Sequence, residues 1–430
     1  MPDKKSYSGK ISLLIIVAAL GYFVDIYDLL LFGVVRKESL DEILKLQFHV
    51  SGDALATMNL YFGKVLLNWQ MGGMLIGGIF WGIIGDKKGR LSVLFGSIIL
   101  YSVANILNGM VTTTTAYSLL RFISGLGLAG ELGAGITLVS EAMSKENRGW
   151  GTMIVATVGV FGAVVAGYMG NVIHSWKLAE TVGGAWRLSF YIGGAMGVVL
   201  LLLRIGVYES GLFNGLKHEK VKRGNFLILF QRKELLKKYL SVIFVTVPVW
   251  YFIGTLVFFS PELSVELGLP NGAISAGSAV MYAYMGITFG DLSSGFISQM
   301  IRSRKKTLAI YLIMTTLAIS LYFLIGGMSV TMFYAVVIFG GVGTGYWAVF
   351  MSTTAESFGT NIRATATTTA PNFVRASTIM ISGLLSLVAL AFPSKLTSAA
   401  ITGGIILAIG FVALYHIKET FGKDLDYSEE

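Results

Sequence analysis

ISLLIIVAALGYFVDIYDLLLFGVV, residues 11–35, is an almost unbroken apolar stretch that contains two acids, Asp25 and Asp28. A helix that crosses a bilayer needs about 20 mostly apolar residues, and this stretch exceeds that. Lys4, Lys5 and Lys10 precede it, as in the basic flank of a secretory signal. Its length and its internal acids read instead as a first span that stays in place.

Comparable runs recur near residues 61–84, 91–110, 116–140, 150–173, 185–207, 239–260, 272–298, 307–326, 331–355, 366–391 and 397–417, so twelve spans are expected. Composition agrees. Of the 430 residues 54% are hydrophobic and 13% charged, with a mean hydropathy of +0.71, whereas soluble domains carry about 25% charged residues. The 53 glycines fall within the apolar runs, where small residues let membrane helices approach one another. The net charge of +9 lies between apolar segments, not on one soluble face, which excludes nucleic acid as a partner. With no cysteine there are no disulfides, thiolate metal sites or cysteine nucleophiles. Four scattered histidines offer no metal site, and no Gly-x-x-x-x-Gly-Lys-Ser/Thr turn suggests ATP. A membrane protein without metal or cofactor is expected, and not a soluble enzyme. Its partners are the lipid bilayer, a small-molecule substrate and protons, and it is expected to be a monomer.

Most of the 33 Lys and Arg residues fall on one side of the bilayer if the N-terminus is cytoplasmic, leaving Lys64, Arg121 and Arg375 within spans. The positive-inside bias therefore places both termini in the cytoplasm, in a multi-pass protein of the inner membrane. A basic segment separates spans six and seven, dividing the chain into a six-helix bundle (1–208), a linker (209–238), a second six-helix bundle (239–417) and a tail (418–430). The linker reads as a headgroup-contacting, topology-fixing segment.

An internal repeat supports the two halves. Glu141 and Arg148 recur as Glu356 and Arg363 at a shift of 215 residues, half the chain, and Tyr208-Glu209-Ser210 recurs as Lys418-Glu419-Thr420. More loosely, Gly85-Asp86-Lys87-Lys88-Gly89-Arg90 answers to Arg302-Ser303-Arg304-Lys305-Lys306.

These residues, in these loops, resemble the major facilitator superfamily over essentially the whole chain. The turn from Gly82 through Asp86 and Gly89 to Arg90 is similar to that superfamily's glycine-rich signature. Its physical sense is independent of the family: glycines bend a very short connection, while Asp86 meets a helix N-terminus and Arg90 a carboxylate. With Glu141, Arg148, Glu356 and Arg363 it would form a conformational latch. Arg121 to Glu131 (RFISGLGLAGE) resembles the arginine-led glycine motif of proton-coupled members. Glu209-Ser210, Glu419-Thr420 and the Glu-to-Arg loops resemble the subgroup of sugar porters and metabolite:proton, aromatic-acid:proton and organic-ion carriers. Gln299 or a neighbour stands where the signature of the second half expects an acid, and the paired-glutamine pattern of sugar porters is missing, which lowers hexoses as substrates.

Charges inside spans cost about 2.5–3.5 kcal/mol on insertion scales and therefore face cavities or partners. Asp25 and Asp28, three residues apart on one helical face, are the candidate proton carriers, with Asp25 the deeper. Glu131 has two readings, proton coupling and a structural hydrogen bond. Ten residues from Arg121, it cannot pair with it locally. Arg121, which never deprotonates, needs anionic company. Arg375 can bind a substrate carboxylate through two parallel hydrogen bonds, and an arginine in this span also resembles organic-anion carriers. Lys64 either adds a positive group or snorkels to the surface. Tyr27, Tyr61, Asn68, Trp347 and Asn372 are candidate cavity residues. The expectation is a secondary carrier of a small organic anion with protons. A proton-driven exporter of cationic or lipophilic compounds, a sugar-type facilitator and a non-transporting receptor are its rivals.

Overall fold

The computed structural model describes residues 4–88, 90–133, 135, 139, 148–209, 228–324, 327 and 329–423. Every regular element among them is helical. In chain order the long helices are α1 (Lys4–Phe48), α2 (Gly52–Lys88), α3 (Arg90–Asn108), α4 (Thr114–Leu128), α5 (Arg148–Val172), α6 (Ala185–Glu209) and α7 (Lys233–Phe244). After three short helical pieces between Val247 and Glu266 come α8 (Ala276–Met300), α9 (Arg304–Leu324), α10 (Val330–Thr344), α11 (Trp347–Ser357), α12 (Thr360–Ala391) and α13 (Lys395–His416). Eight helical stretches among the described residues are long and apolar enough to cross a membrane.

Local chemistry sets the starts. Thr113, Ser275, Ser329 and Ser394 each accept a backbone N–H three residues on with their hydroxyl oxygen, satisfying one of the donors that a helix N-terminus leaves free. The first span differs from the apolar reading, which ended at Val35. α1 continues to Phe48 because Leu40, Ile43 and Leu44 keep one face buried while Lys45 and Leu46 face outward. His49 and Gly52, both at positive φ, then reverse the chain into α2.

In the first half α1 lies against α5 and α6, α2 against α4, and α3 against α4 and α6. The α2–α4 seam is tight enough that a Cβ on Gly125 would overlap the Gln70 carbonyl, so only glycine fits there. In the second half α8 and α9 both lie on α10, and α13 meets α7, α9 and α12. The first-half helices meet the second-half helices chiefly along α2–α12 and α5–α8. Polar contacts stitch these lines. Asn171 Nδ2 donates to Ser278 Oγ (3.2 Å), Ser382 Oγ donates to Asn68 Oδ1 (3.3 Å), and Asn372 Nδ2 donates to the Ala129 carbonyl (3.1 Å).

Two second-half regions are discontinuous. A Pro248-containing turn of helix follows α7 and leads into a π-helical turn, Phe252–Val257. The chain breaks again at Gly345 and Tyr346, between α10 and α11. Discontinuous helices inside membrane carriers leave backbone groups for side chains or substrate to satisfy. The Tyr346 hydroxyl does so by donating to the Val245 carbonyl (2.9 Å).

Candidate functional site

α1 brings Asp25 and Asp28 into the interior, and both are fully buried with no hydrogen-bond partner on any carboxylate oxygen. One face of the helix holds them, but they meet different charges. Asp28 Oδ1 sits against Gly193 of α6, with Asn105 of α3 and the Arg121 guanidinium of α4 beside it. The cation that acts most strongly on Asp25 is Arg375 of α12, in the other half.

The two arginines are equally enclosed. Arg121 is 0% exposed, and none of its three guanidinium nitrogens has a hydrogen-bond partner. The group lies 5.0 Å from the centre of the Phe32 ring and 5.7 Å from that of Phe190. Arg375 is 1% exposed, its Nε is unpartnered, and its guanidinium lies 5.6 Å over the Trp347 ring with the Tyr22 hydroxyl alongside. Cation–π contacts offset part of a guanidinium's desolvation, but they leave its N–H donors unused. A buried donor left unmade costs about 1–3 kcal/mol, and more for a charged group. Two guanidinium groups with spare donors can hold a planar anion, and the two carboxylates beside them can exchange protons.

The remaining candidates are dispersed. Tyr27 is fully buried with its hydroxyl unpartnered, and the Trp347 indole N–H is unpartnered as well. Asn372, one turn from Arg375, bridges the halves through Ala129, and its Oδ1 stays free. Asn68 also bridges the halves, through Ser382. Lys64 is half-buried, and Lys395 and Glu262 act on its charge, which places it toward the Phe48 end of the molecule. Tyr61 is 61% exposed and lies edge-on to Phe62.

Glu131 meets Arg204 of α6 in a two-point ion pair, one contact at 3.0 Å (Arg204 Nη1 to Oε2) and one between Arg204 Nη2 and Oε1, both groups buried. The apolar reading left only three basic residues within spans, yet Arg204 is inside α6 and 5% exposed. The apolar runs do not single out Asp291 of α8 either: fully buried, it accepts the Ala348 N–H at 3.2 Å. Arg36 and Glu262, paired across the halves at 2.5 Å, are a third omission. Signals existed for the first two, since Leu202-Leu203-Arg204-Ile205 and Phe289-Gly290-Asp291-Leu292 set a charge inside an apolar run.

At the end of the molecule that carries Lys88, Arg304 donates to Glu356 through Nη2 (2.9 Å) and Nε (3.2 Å), and to Ser298 Oγ through Nη1 (2.8 Å). Glu419 accepts the Arg304 amide (2.8 Å) and the Ser303 hydroxyl, while the Thr420 hydroxyl donates to Glu356 (2.8 Å). Burial raises the Glu419 pKa, but the Ser303 hydroxyl and the Phe421, Arg304 and Thr420 amides outweigh it and hold the carboxyl below its ordinary range. Arg363 Nε donates to the carbonyls of Ala355 and Phe358. Gly82 is half-buried near the end of α2. Gly89 and Glu141, and the side chains of Asp86, Arg90 and Arg148, lie outside the described residues.

Among the described residues every regular element is helical, several helices are long and apolar enough to cross a membrane, and acids and arginines are buried inside, the features of a membrane transporter. Residues 18–382 match the model of the Major Facilitator Superfamily, and the chain belongs to that family. The family is one of carriers, not enzymes. The chain is 26% identical to the gentisate transporter of Corynebacterium glutamicum over 80% of this chain and 73% of that one. It is 27% identical to the 3-(3-hydroxy-phenyl)propionate transporter of Escherichia coli, over 69% and 70%. Among solved structures it is similar to the proton:xylose symporter XylE bound to 6-bromo-6-deoxy-D-glucose, with a TM-score of 0.72, 16% identity and coverage of 97% and 98%. At that identity the likeness is one of fold.

Proposed function

We propose that this protein is a secondary carrier that moves a small organic anion, an aromatic carboxylate in the first instance, together with protons by alternating access. The observation that carries this reading is Arg121, a permanently charged group buried with all three nitrogens unpartnered, matched across the halves by Arg375 with an unpartnered Nε. The substrate carboxylate takes one guanidinium, and Phe32, Phe190 and Trp347 offer ring faces beside the two cations. Asp28 beside Arg121 and Asp25 beside Arg375 carry the protons: a neutral acid releases its arginine to the anion, and a charged acid competes with it. The named substrates of the two relatives, gentisate and 3-(3-hydroxyphenyl)propionate, both combine a benzene ring with a carboxylate.

On this reading twelve spans form two bundles, 1–208 and 239–417, joined by the basic linker 209–238, with both termini cytoplasmic and the tail beginning at 418. The Arg304–Glu356–Glu419 cluster is then a cytoplasmic latch of the second half. The protein acts as a monomer in the inner membrane.

Thermal unfolding of the purified protein tests the substrate class. A ligand at 100 times its Kd stabilises by about 2.7 kcal/mol, so gentisate should raise the melting temperature, and Arg121→Ala or Arg375→Ala should remove that rise. Equal stabilisation of Arg375→Ala, or stabilisation by amines or hexoses and not by carboxylates, contradicts the proposal.

A further inference from the structure

Asp291 has no part in the mechanism above, yet it is as enclosed as the acids of α1. It lies on α8 where that helix meets the break between α10 and α11. At this crossing Gly345 contacts Gly290, the residue before Asp291, backbone to backbone, and a Cβ on either would overlap the backbone of the other segment. Asp291 Oδ1 accepts the Ala348 N–H at 3.2 Å, the Trp347 amide is also within its reach, and Oδ2 has no partner. These amides open α11, an eleven-residue helix whose first residue is Trp347. A helix start leaves its first N–H groups unpaired, and Tyr346, the residue at the cap position, makes no side-chain cap. Asp291 supplies that cap from a neighbouring helix, and its charge complements the positive end of the α11 dipole.

The consequence falls on the substrate arginine. Trp347 carries the ring under the Arg375 guanidinium, and its own rotation is set by where α11 begins. Tyr346, tied to the Val245 carbonyl at 2.9 Å, fixes the other side of the break. We infer that Asp291 is a positioning residue of the transport site: by capping α11 it holds the Trp347 indole beneath Arg375 and so sets the affinity for the transported anion. The inference rests on the reading of Arg375 as an anion-binding residue, and it assigns to the carboxyl an acceptor role, not a proton-carrying one.

The test is a double-mutant cycle in proteoliposomes, with radiolabelled gentisate as the probe. The emission difference between each Asp291 variant and the same variant carrying Trp347→Phe isolates the Trp347 signal. Asp291→Asn keeps an acceptor oxygen and removes the charge. It should fold, leave the Trp347 emission in place and keep KM and kcat within about twofold of wild type. Asp291→Ala should shift the Trp347 emission and raise KM about five- to tenfold, the loss of one desolvated cation–π contact, with kcat nearly unchanged. In a Trp347→Ala background, which removes the ring, Asp291→Ala should add nothing further, since both changes remove the same contact. Additive effects, an unmoved emission in Asp291→Ala, or an Asp291→Asn variant that fails to fold, loses affinity or changes its pH profile would each overturn the assignment. If Asp291→Ala does not fold, the Asp291→Asn result decides alone. If wild type does not transport gentisate, the anion reading fails in that arm, while the emission shift still decides the placement of Trp347.

Discussion

Arg36 and Glu262 close one end of the interface between the halves, and replacing Glu262 with Gln should open it. Arg36 of α1 donates to Asn59 Oδ1 (3.0 Å), to the Phe258 carbonyl (3.4 Å) and to Glu262 Oε1 (2.5 Å), with its guanidinium 4.6 Å from the Phe259 ring. The Arg36 side chain is 1% exposed and that of Glu262 20%. A hydrogen bond to a charged group contributes about 1.5–3 kcal/mol. Gln retains a neutral acceptor, and part of Glu262 is already in water, so the substitution removes about 1–2 kcal/mol from the closed state. At 1.4 kcal/mol per factor of ten, the open population rises about five- to thirtyfold. With no native cysteine, a single reporter is unambiguous. Ser260, two residues before Glu262, is fully buried with its hydroxyl unpartnered, and Ser260→Cys is nearly isosteric. On the proposed topology this end faces outward, so an impermeant thiol reagent added to cells should label Ser260→Cys slowly. The same reporter with Glu262→Gln should label about tenfold faster. An unchanged rate refutes the idea that this pair holds the halves together. Labelling only from the outside of inverted vesicles, where the cytoplasmic face is exposed, refutes the topology.

Arg204→Leu strands the Glu131 charge in the interior, which should cost about 3–5 kcal/mol; adding Glu131→Gln should recover most of the lost melting temperature, and no recovery would mean the pair is not the cause. Gly125→Leu places a side chain into the Gln70 backbone, and overpacking of about 1–3 kcal/mol should appear as lower melting temperature and yield, with wild-type thermal stability the contrary result. Glu419→Gln should lower stability at neutral pH by less than about 1 kcal/mol, because the carboxyl is mostly solvated. The Glu419 carboxyl titrates lower folded than unfolded, so its contribution is complete above its ordinary value of 4.5 and is lost as pH falls through the folded value. The gap between variant and wild type should therefore narrow on acidification, and a gap that widens would contradict the assignment.

The apolar runs made the helices legible, and α3, α5, α6, α8, α9 and α13 begin and end close to where hydropathy alone puts them. The breaks were not. Gly345 and Tyr346 sit inside one continuous apolar run, and what divides it is a backbone contact with Gly290, a residue over fifty positions away. Asp25, Asp28, Arg121 and Arg375 could be singled out because a lone charge in an apolar run has few harmless explanations. Their sorting into Asp28 with Arg121 and Asp25 with Arg375 depends on how α1 rotates between α4 and α12, which no local pattern encodes. Arg204 went unnoticed because it lies one turn from the charged segment after α6, where it passes for a flanking residue. Arg36 and Glu262 looked like ordinary flanking charges, and their pairing spans 226 positions.

The central claim is coupled anion transport, and uptake of radiolabelled gentisate into proteoliposomes under an imposed proton gradient tests it most directly. The account predicts accumulation when the outside is acidic, collapse of that accumulation by a protonophore, and loss of gradient-driven uptake in Asp28→Asn, with Arg121→Ala inactive throughout. Uptake that ignores the gradient, or export of gentisate driven by it, would contradict the account.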